Sequence, residues 1–147
     1  MMQGIQSWLG DVNPRYHDPF LPPQNNPYHV NCGSCAFSVY QRLNGGDSTA
    51  VASHVNIGRD EEMERVTGKR CTYMSVADIE KILISGGPGT NLIVGINRRL
   101  PSGRTISGHW FNAVYDGEKI YTIDGQSGEI LDWPHDYGYV SEWCALV

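Results

Sequence analysis

The sequence predicts an α+β domain, and three observations carry the prediction. Apolar residues recur with a helical period over residues 32–43. A second helical pattern follows a Ser75 cap. Downstream, short apolar runs separated by turn dipeptides read as an antiparallel sheet. The chain has 147 residues, which is one domain with or without a tail.

The first 30 residues differ from the rest. Pro14, Pro19, Pro22, Pro23 and Pro27 lie there among Asn and Gln. Proline restricts its own φ and disfavours helix for its predecessor, so the stretch reads as extended coil. Trp8, Leu9, Phe20 and Leu21 offer apolar contacts. Residues 1–30 are thus a Pro-rich N-terminal arm or linker, and residues 31–147 are the domain.

From residue 32 the pattern is regular. Cys32, Cys35, Ala36, Val39, Tyr40 and Leu43 share one helical face, with Asn31 as N-cap and Asn44-Gly45-Gly46 as the stop. This predicts a helix over 32–43 with Cys32 in its first turn. Residues 58–71 are charged and read as surface. Ser75 to Asp78 resembles a capping box, and Val76, Ile79, Ile82 and Leu83 form the apolar face of a second helix that Gly86-Gly87-Pro88-Gly89 ends. Residues 91–96, 107–115 and 119–123 read as strands.

Asp116-Gly117 between two such strands signals a type I′ hairpin. With those two residues at the turn, Ala113 faces Ile120, Phe111 faces Thr122 and His109 faces Asp124. Opposed residues share a face with Cβ atoms about 5 Å apart. Turn chemistry alone therefore places an imidazole beside a carboxylate, the orienting half of a catalytic triad. Cys32, at a helix start where the dipole favours negative charge, supplies the nucleophile. First-turn N–H groups are available to an oxyanion.

Other readings of the same residues are blander. A His–Asp cross-strand pair is often only a surface pair, and a Cys is often a small buried hydrophobe. Cys32-Gly-Ser-Cys35 also fits a redox pair, but the preceding βαβ unit is absent. A zinc site lacks paired spacing at Cys71 and Cys144, so no metal is expected. His17, His29, His54 and His135 read as surface residues, the acidic run Asp60–Glu64 as a solvated face, and Trp110, Trp133 and Trp143 as packing anchors.

Composition narrows the function classes. The net charge is −5, which argues against nucleic-acid binding through a basic patch. No apolar stretch approaches the roughly 20 residues of a membrane span. The N-terminus has neither basic segment nor apolar run, so no ordinary signal peptide is expected.

Three segments together resemble a known family. They are Asn31-Cys-Gly-Ser-Cys-Ala-Phe-Ser-Val-Tyr-Gln-Arg-Leu-Asn-Gly45, Gly108-His-Trp-Phe-Asn-Ala-Val-Tyr-Asp-Gly117 and Tyr121-Thr-Ile-Asp-Gly-Gln-Ser-Gly128. In that order they resemble the papain-fold toxins described as glutamine deamidases, which occur at the C-termini of bacterial polymorphic toxins. The resemblance implies a papain-like fold, with a Cys-bearing helix packed on an antiparallel sheet that carries His and Asp. It puts the triad on Cys32, His109 and Asp124, with Cys35 as the rival nucleophile because Cys-Gly-Ser-Cys also resembles the papain nucleophile segment. Asn31 is a candidate oxyanion donor as well as an N-cap, and Gln126 a candidate cleft residue as well as a turn residue.

The activity so implied is deamidation of a glutamine side chain in a target-cell protein, through a thioester and without a cofactor. A cysteine protease or transglutaminase-like acyl transferase would use the same triad. A non-catalytic binding module is the reading from another class. The resemblance further implies delivery by a specialised secretion system, action in the target-cell cytosol, and a cognate immunity protein as partner.

Overall fold

Residues 91–115 supply the two strands around which everything else is arranged. The computed structural model describes all 147 residues. In chain order the elements are α1 (Met2–Leu9), α2 (Cys32–Leu43), α3 (Asp60–Thr67), β1 (Cys71–Tyr73), α4 (Val76–Gly86), β2 (Asn91–Arg99), β3 (Thr105–Tyr115), β4 (Ile120–Asp124), β5 (Glu129–Leu131) and β6 (Val140–Leu146). The strands form one antiparallel sheet in the order β1-β6-β2-β3-β4-β5. No helix is long and apolar enough to cross a membrane.

The sheet is covered on both faces, which explains the unbroken apolar run in β2: Leu92 through Ile96 are all buried. Alternation along β3 sends Trp110 and Val114 into clusters with Ala36, Cys35 and Val39 of α2. It sends Phe111 and Ala113 into a cluster with Ile79 and Leu83 of α4. Asn112 Nδ2 donates to Ala36 O at 3.1 Å and ties α2 to the sheet.

Both expected helices form, and α2 spans the expected residues. In α4 the Ser75 side chain accepts from the Asp78 N–H. Ile79 and Leu83 are buried there, whereas Ile82 lies at the helix edge and is partly solvated.

The N-terminal arm is not extended coil throughout. Residues 2–9 are helical, and short 3-10 turns follow at Pro14–His17, Pro23–Asn25 and Pro27–His29. Ile5, Leu9 and Val12 are buried in one cluster with Cys35, Val39, Val114 and Ile123. Burial of such side chains stabilises by about 1.5–3 kcal/mol each, enough to hold a segment whose local propensities are poor. Phe20, by contrast, is 91% exposed. The charged stretch 58–71 holds the helix α3, whose one buried residue is Met63.

The β3–β4 hairpin departs from the expected register. Tyr115 pairs with Ile120 and Ala113 with Thr122, so Gly117-Glu118 rather than Asp116-Gly117 form the centre of the turn. A type I′ turn would require positive φ at Asp116. Asp116 instead keeps an ordinary backbone, and its carboxylate accepts from the N–H groups of Glu118 and Lys119, both at 2.8 Å. Gly117 alone takes a positive φ, 101°, as a type II′ turn requires. Each partner shifts by two residues, which keeps every side chain on its expected face. His109 and Asp124 become diagonal rather than direct neighbours, within reach of long side chains.

Candidate active site

Cys32 is the first residue of α2 and is partly exposed. The helix can begin beside a loop because residue 33 is glycine: a Cβ there would meet Ile57 O at 2.9 Å. The loop 53–58 therefore lies directly on the first turn, next to the sulfur.

His109 comes from the middle of β3 and Asp124 from the end of β4. His109 Nε2 donates to Asp124 Oδ2 at 2.8 Å, which leaves Nδ1 as the ring nitrogen available to Cys32. The carboxylate is buried and fully engaged. Tyr137 Oη donates to Oδ2 at 2.9 Å, and the N–H groups of Gln126 and Ser127 donate to Oδ1 at 3.0 and 3.2 Å. Burial alone would raise the pKa of Asp124, but the bonds from His109, Tyr137 and Ser127 outweigh it and hold the carboxyl below its usual range. Burial likewise disfavours the imidazolium. Hydrogen bonds and charge from Asp124 and Cys32 exceed that penalty, and His109 is raised to about 9. The ring is backed by Tyr137 at 4.8 Å and Phe111 at 5.9 Å between centroids.

Cys32 and His109 face two cavities at once. One, of about 320 Å³, is bounded by α3 and β2, with Asp60, Glu62, Asn97 and Trp110 in its wall. The other, of about 540 Å³, is bounded by the arm and the 126–137 segment, with Tyr16, His29, Gln126 and His135 in its wall. Asn56, Ser107 and Gly108 belong to both, so the sulfur and imidazole sit on the ridge between two halves of one cleft.

Cys32, His109 and Asp124 are thus brought together, but the remaining expectations are redistributed. Cys35 is 1% exposed and packed in the core. Its thiol donates to Asn31 Oδ1 at 3.4 Å. Burial first, then the charges of Cys32 and Asp124, push the pKa of its thiol far up, and it lines neither cavity. Asn31 is neither a side-chain cap nor an available oxyanion donor. Its amide hydrogens go to Asn13 Oδ1 and Ser53 O, each at 3.0 Å, because the buried Asn13 must be satisfied. Gln126 serves as both turn and cleft residue: its N–H holds Asp124 while its side chain lines the larger cavity.

Several residues expected at the surface belong to the cleft wall. His29 and His135 line the larger cavity, and Asp60 and Glu62 the smaller. No sequence signal marks Tyr137. Its Asp-Tyr-Gly context reads as a turn, and only the path of the chain after β5 brings its hydroxyl to Asp124. Asn56 was equally silent, in a segment with no periodicity.

Comparison with known proteins bears on the fold and the family. No curated protein sequence matches the chain. The solved structure of the Salmonella effector SpvD, G161 variant, superposes with a TM-score of 0.59 at 16% identity, covering 100% of this chain and 78% of that one. At that identity the likeness speaks for the fold, a papain-like one. Residues 30–129 match the family described as papain fold toxin 1, glutamine deamidase, a span that includes the helix of Cys32 and the strands of His109 and Asp124. By that match the chain belongs to the papain fold toxin 1, glutamine deamidase family.

Proposed function

We propose that this protein deamidates a glutamine side chain of a protein in a target cell, with Cys32 as nucleophile, His109 as acid and base, and Asp124 as the group that orients His109. The observation that carries this is the 2.8 Å His109–Asp124 bond beside the partly exposed Cys32 at a helix start, in a chain of a glutamine deamidase family.

The Cys32 thiolate attacks the carboxamide carbon. His109 gives its proton to the departing ammonia, and a thioester remains. His109 then takes a proton from water, whose oxygen attacks the thioester; the carbon–sulfur bond breaks, glutamate is released, and the Cys32 thiolate and protonated His109 are restored. Asp124 keeps the ring aligned and balances its charge through both half-reactions. The open cavities on either side of the sulfur suit a glutamine within a folded target protein.

Delivery into the target cell by a specialised secretion system belongs to the same reading, and the likeness to an effector fold supports it. So does an immunity protein in the producing cell that covers the cleft.

The test is mass spectrometry of candidate target proteins incubated with the enzyme. A gain of about 1 Da at a glutamine, with release of ammonia, is expected for the wild type and absent for Cys32→Ala. Chain cleavage or joining to an amine would replace deamidation by proteolysis or acyl transfer. Equal activity of Cys32→Ala would overturn the mechanism.

A further inference from the structure

The segment 53–58 has no regular secondary structure, yet it is tied down at four points around Cys32. Asn31 Nδ2 donates to Ser53 O at 3.0 Å, Ser34 Oγ to Val55 O at 3.0 Å, and the Gly33 N–H to Asn56 Oδ1 at 3.3 Å. From the sheet side, Trp110 Nε1 donates to Gly58 O at 2.7 Å. Asn56 projects from this segment onto the ridge of the cleft and lines both cavities with Cys32 and His109.

The bond from Gly33 decides which way the Asn56 amide faces. Only the oxygen can accept from an N–H, so Nδ2 occupies the other branch. That nitrogen lies against Gly58 in the wall of the smaller cavity: a Cβ at Gly58 would come within 2.6 Å of it. Nδ2 of Asn56 and the N–H of Cys32 have no hydrogen-bond partner within the chain. Asn31, the donor nominated by sequence, has both amide hydrogens committed elsewhere.

We infer that Asn56 is a catalytic residue: its Nδ2 and the Cys32 N–H together hold the oxyanion formed at Cys32. This rests on the site proposed above, but only on Cys32 being an acylated thiol and not on glutamine being the substrate. As the sulfur–carbon bond forms, the carbonyl π pair moves to oxygen. As the pair returns, the leaving group departs, and a departing amine takes the proton of His109. The two donors face the negative oxygen between those events. Donors positioned for such an oxygen contribute roughly 100- to 1000-fold in optimised enzymes. The Gly33 bond matters because it holds the Asn56 amide in place before substrate arrives.

The experiment compares two reactions of the same sulfur in the full-length protein. 4-Nitrophenyl acetate acylates Cys32 through an oxyanion, whereas iodoacetamide alkylates it by displacement at a saturated carbon and forms none. Both rates are read at Cys32 by peptide mass, with Cys32→Ala as background, and their ratio cancels changes in thiolate population. Asn56→Asp keeps an oxygen for the Gly33 N–H and removes the donor; Asn56→Ala removes both.

A tenfold or larger fall of the acylation-to-alkylation ratio in both variants is expected, with the melting temperature of Asn56→Asp near that of the wild type. A ratio within twofold of wild type in both variants overturns the inference. A fall in Asn56→Ala alone also overturns it, since the residue would then act only by tethering Gly33. If wild-type protein is acylated at Cys32 but leaves glutamine peptides unchanged, the deamidase reading fails and the Asn56 result stands separately.

Discussion

Cys32 and Cys35 are the same residue type on the same helix, less than one turn apart, and their surroundings differ in almost every respect. Cys32 sits at the solvent end of α2, beside His109 and between two cavities. Cys35 is enclosed by Val39, Val114 and Ile123 in the core, with Asn31 Oδ1 as its hydrogen-bond acceptor. A thiol becomes a nucleophile through access, positive charge and a proton acceptor, and α2 supplies these at its first residue and none of them three residues later. Reactivity here is a property of position along the helix rather than of the Cys-Gly-Ser-Cys motif.

The largest expected effect separates the two thiols directly. Cys32→Ala is expected to lower deamidation turnover by roughly 10⁶-fold, as removal of a triad nucleophile does. Cys35→Ala is expected to retain turnover within a few-fold. Steady-state ammonia release measures both, and a Cys35→Ala enzyme as dead as Cys32→Ala would reverse the comparison.

Next in size is the orienting carboxylate. Asp124→Asn preserves shape but presents the wrong hydrogen-bonding partner to His109, and a loss of kcat approaching 10,000-fold is expected. Retention of more than a tenth of wild-type kcat would remove Asp124 from the mechanism.

The pH dependence follows from His109. Its folded value of about 9 lies above the ordinary 6.5, so the charged ring stabilises the fold. That stabilisation is present in full below about pH 6.5 and is lost as pH rises through about 9. An alkaline limb of kcat/KM near pH 9 is expected for chemistry that needs the imidazolium, falling tenfold per pH unit beyond it. Asp124→Asn should move the limb to lower pH. A limb that stays in place in that variant would show that another group sets it.

Tyr137→Phe removes one donor from Asp124 and leaves the ring contacts with His109. A tenfold or smaller fall in kcat is expected, with destabilisation of about 1.5–3 kcal/mol as for bonds to charged groups. Urea unfolding read beside turnover distinguishes the two effects.

The smallest effect concerns the buried thiol. Cys35→Ala leaves a small cavity and frees Asn31 Oδ1 of one donor, and a stability loss of about 1–2 kcal/mol is expected by thermal unfolding.

Much of the site was legible because its main parts are local. The helix over 32–43 is a 3.6-residue pattern, and the shared face of His109 and Asp124 is a two-residue pattern around a turn. The turn itself lies one residue further along than the Asp-Gly dipeptide implies, since the Asp116 carboxylate caps the N–H groups beyond it. The shared face survived because the shift was even.

What the sequence determined by itself was therefore the α+β class, the helix that begins at Cys32, and the two adjacent strands that carry His109 and Asp124. Short-range periodicity and turn chemistry are properties of neighbouring residues, and they need no knowledge of the rest of the chain. The tertiary structure alone decided that β6 lies between β1 and β2, that the Pro-rich arm is anchored by Ile5, Leu9 and Val12, and that Tyr137 reaches Asp124. It also decided that Asn31 turns inward to Asn13 while Asn56 faces the cleft. Each of these depends on contacts between residues far apart in sequence, where the burial of apolar surface and the need to satisfy buried polar groups select one arrangement among many that local preference leaves equal.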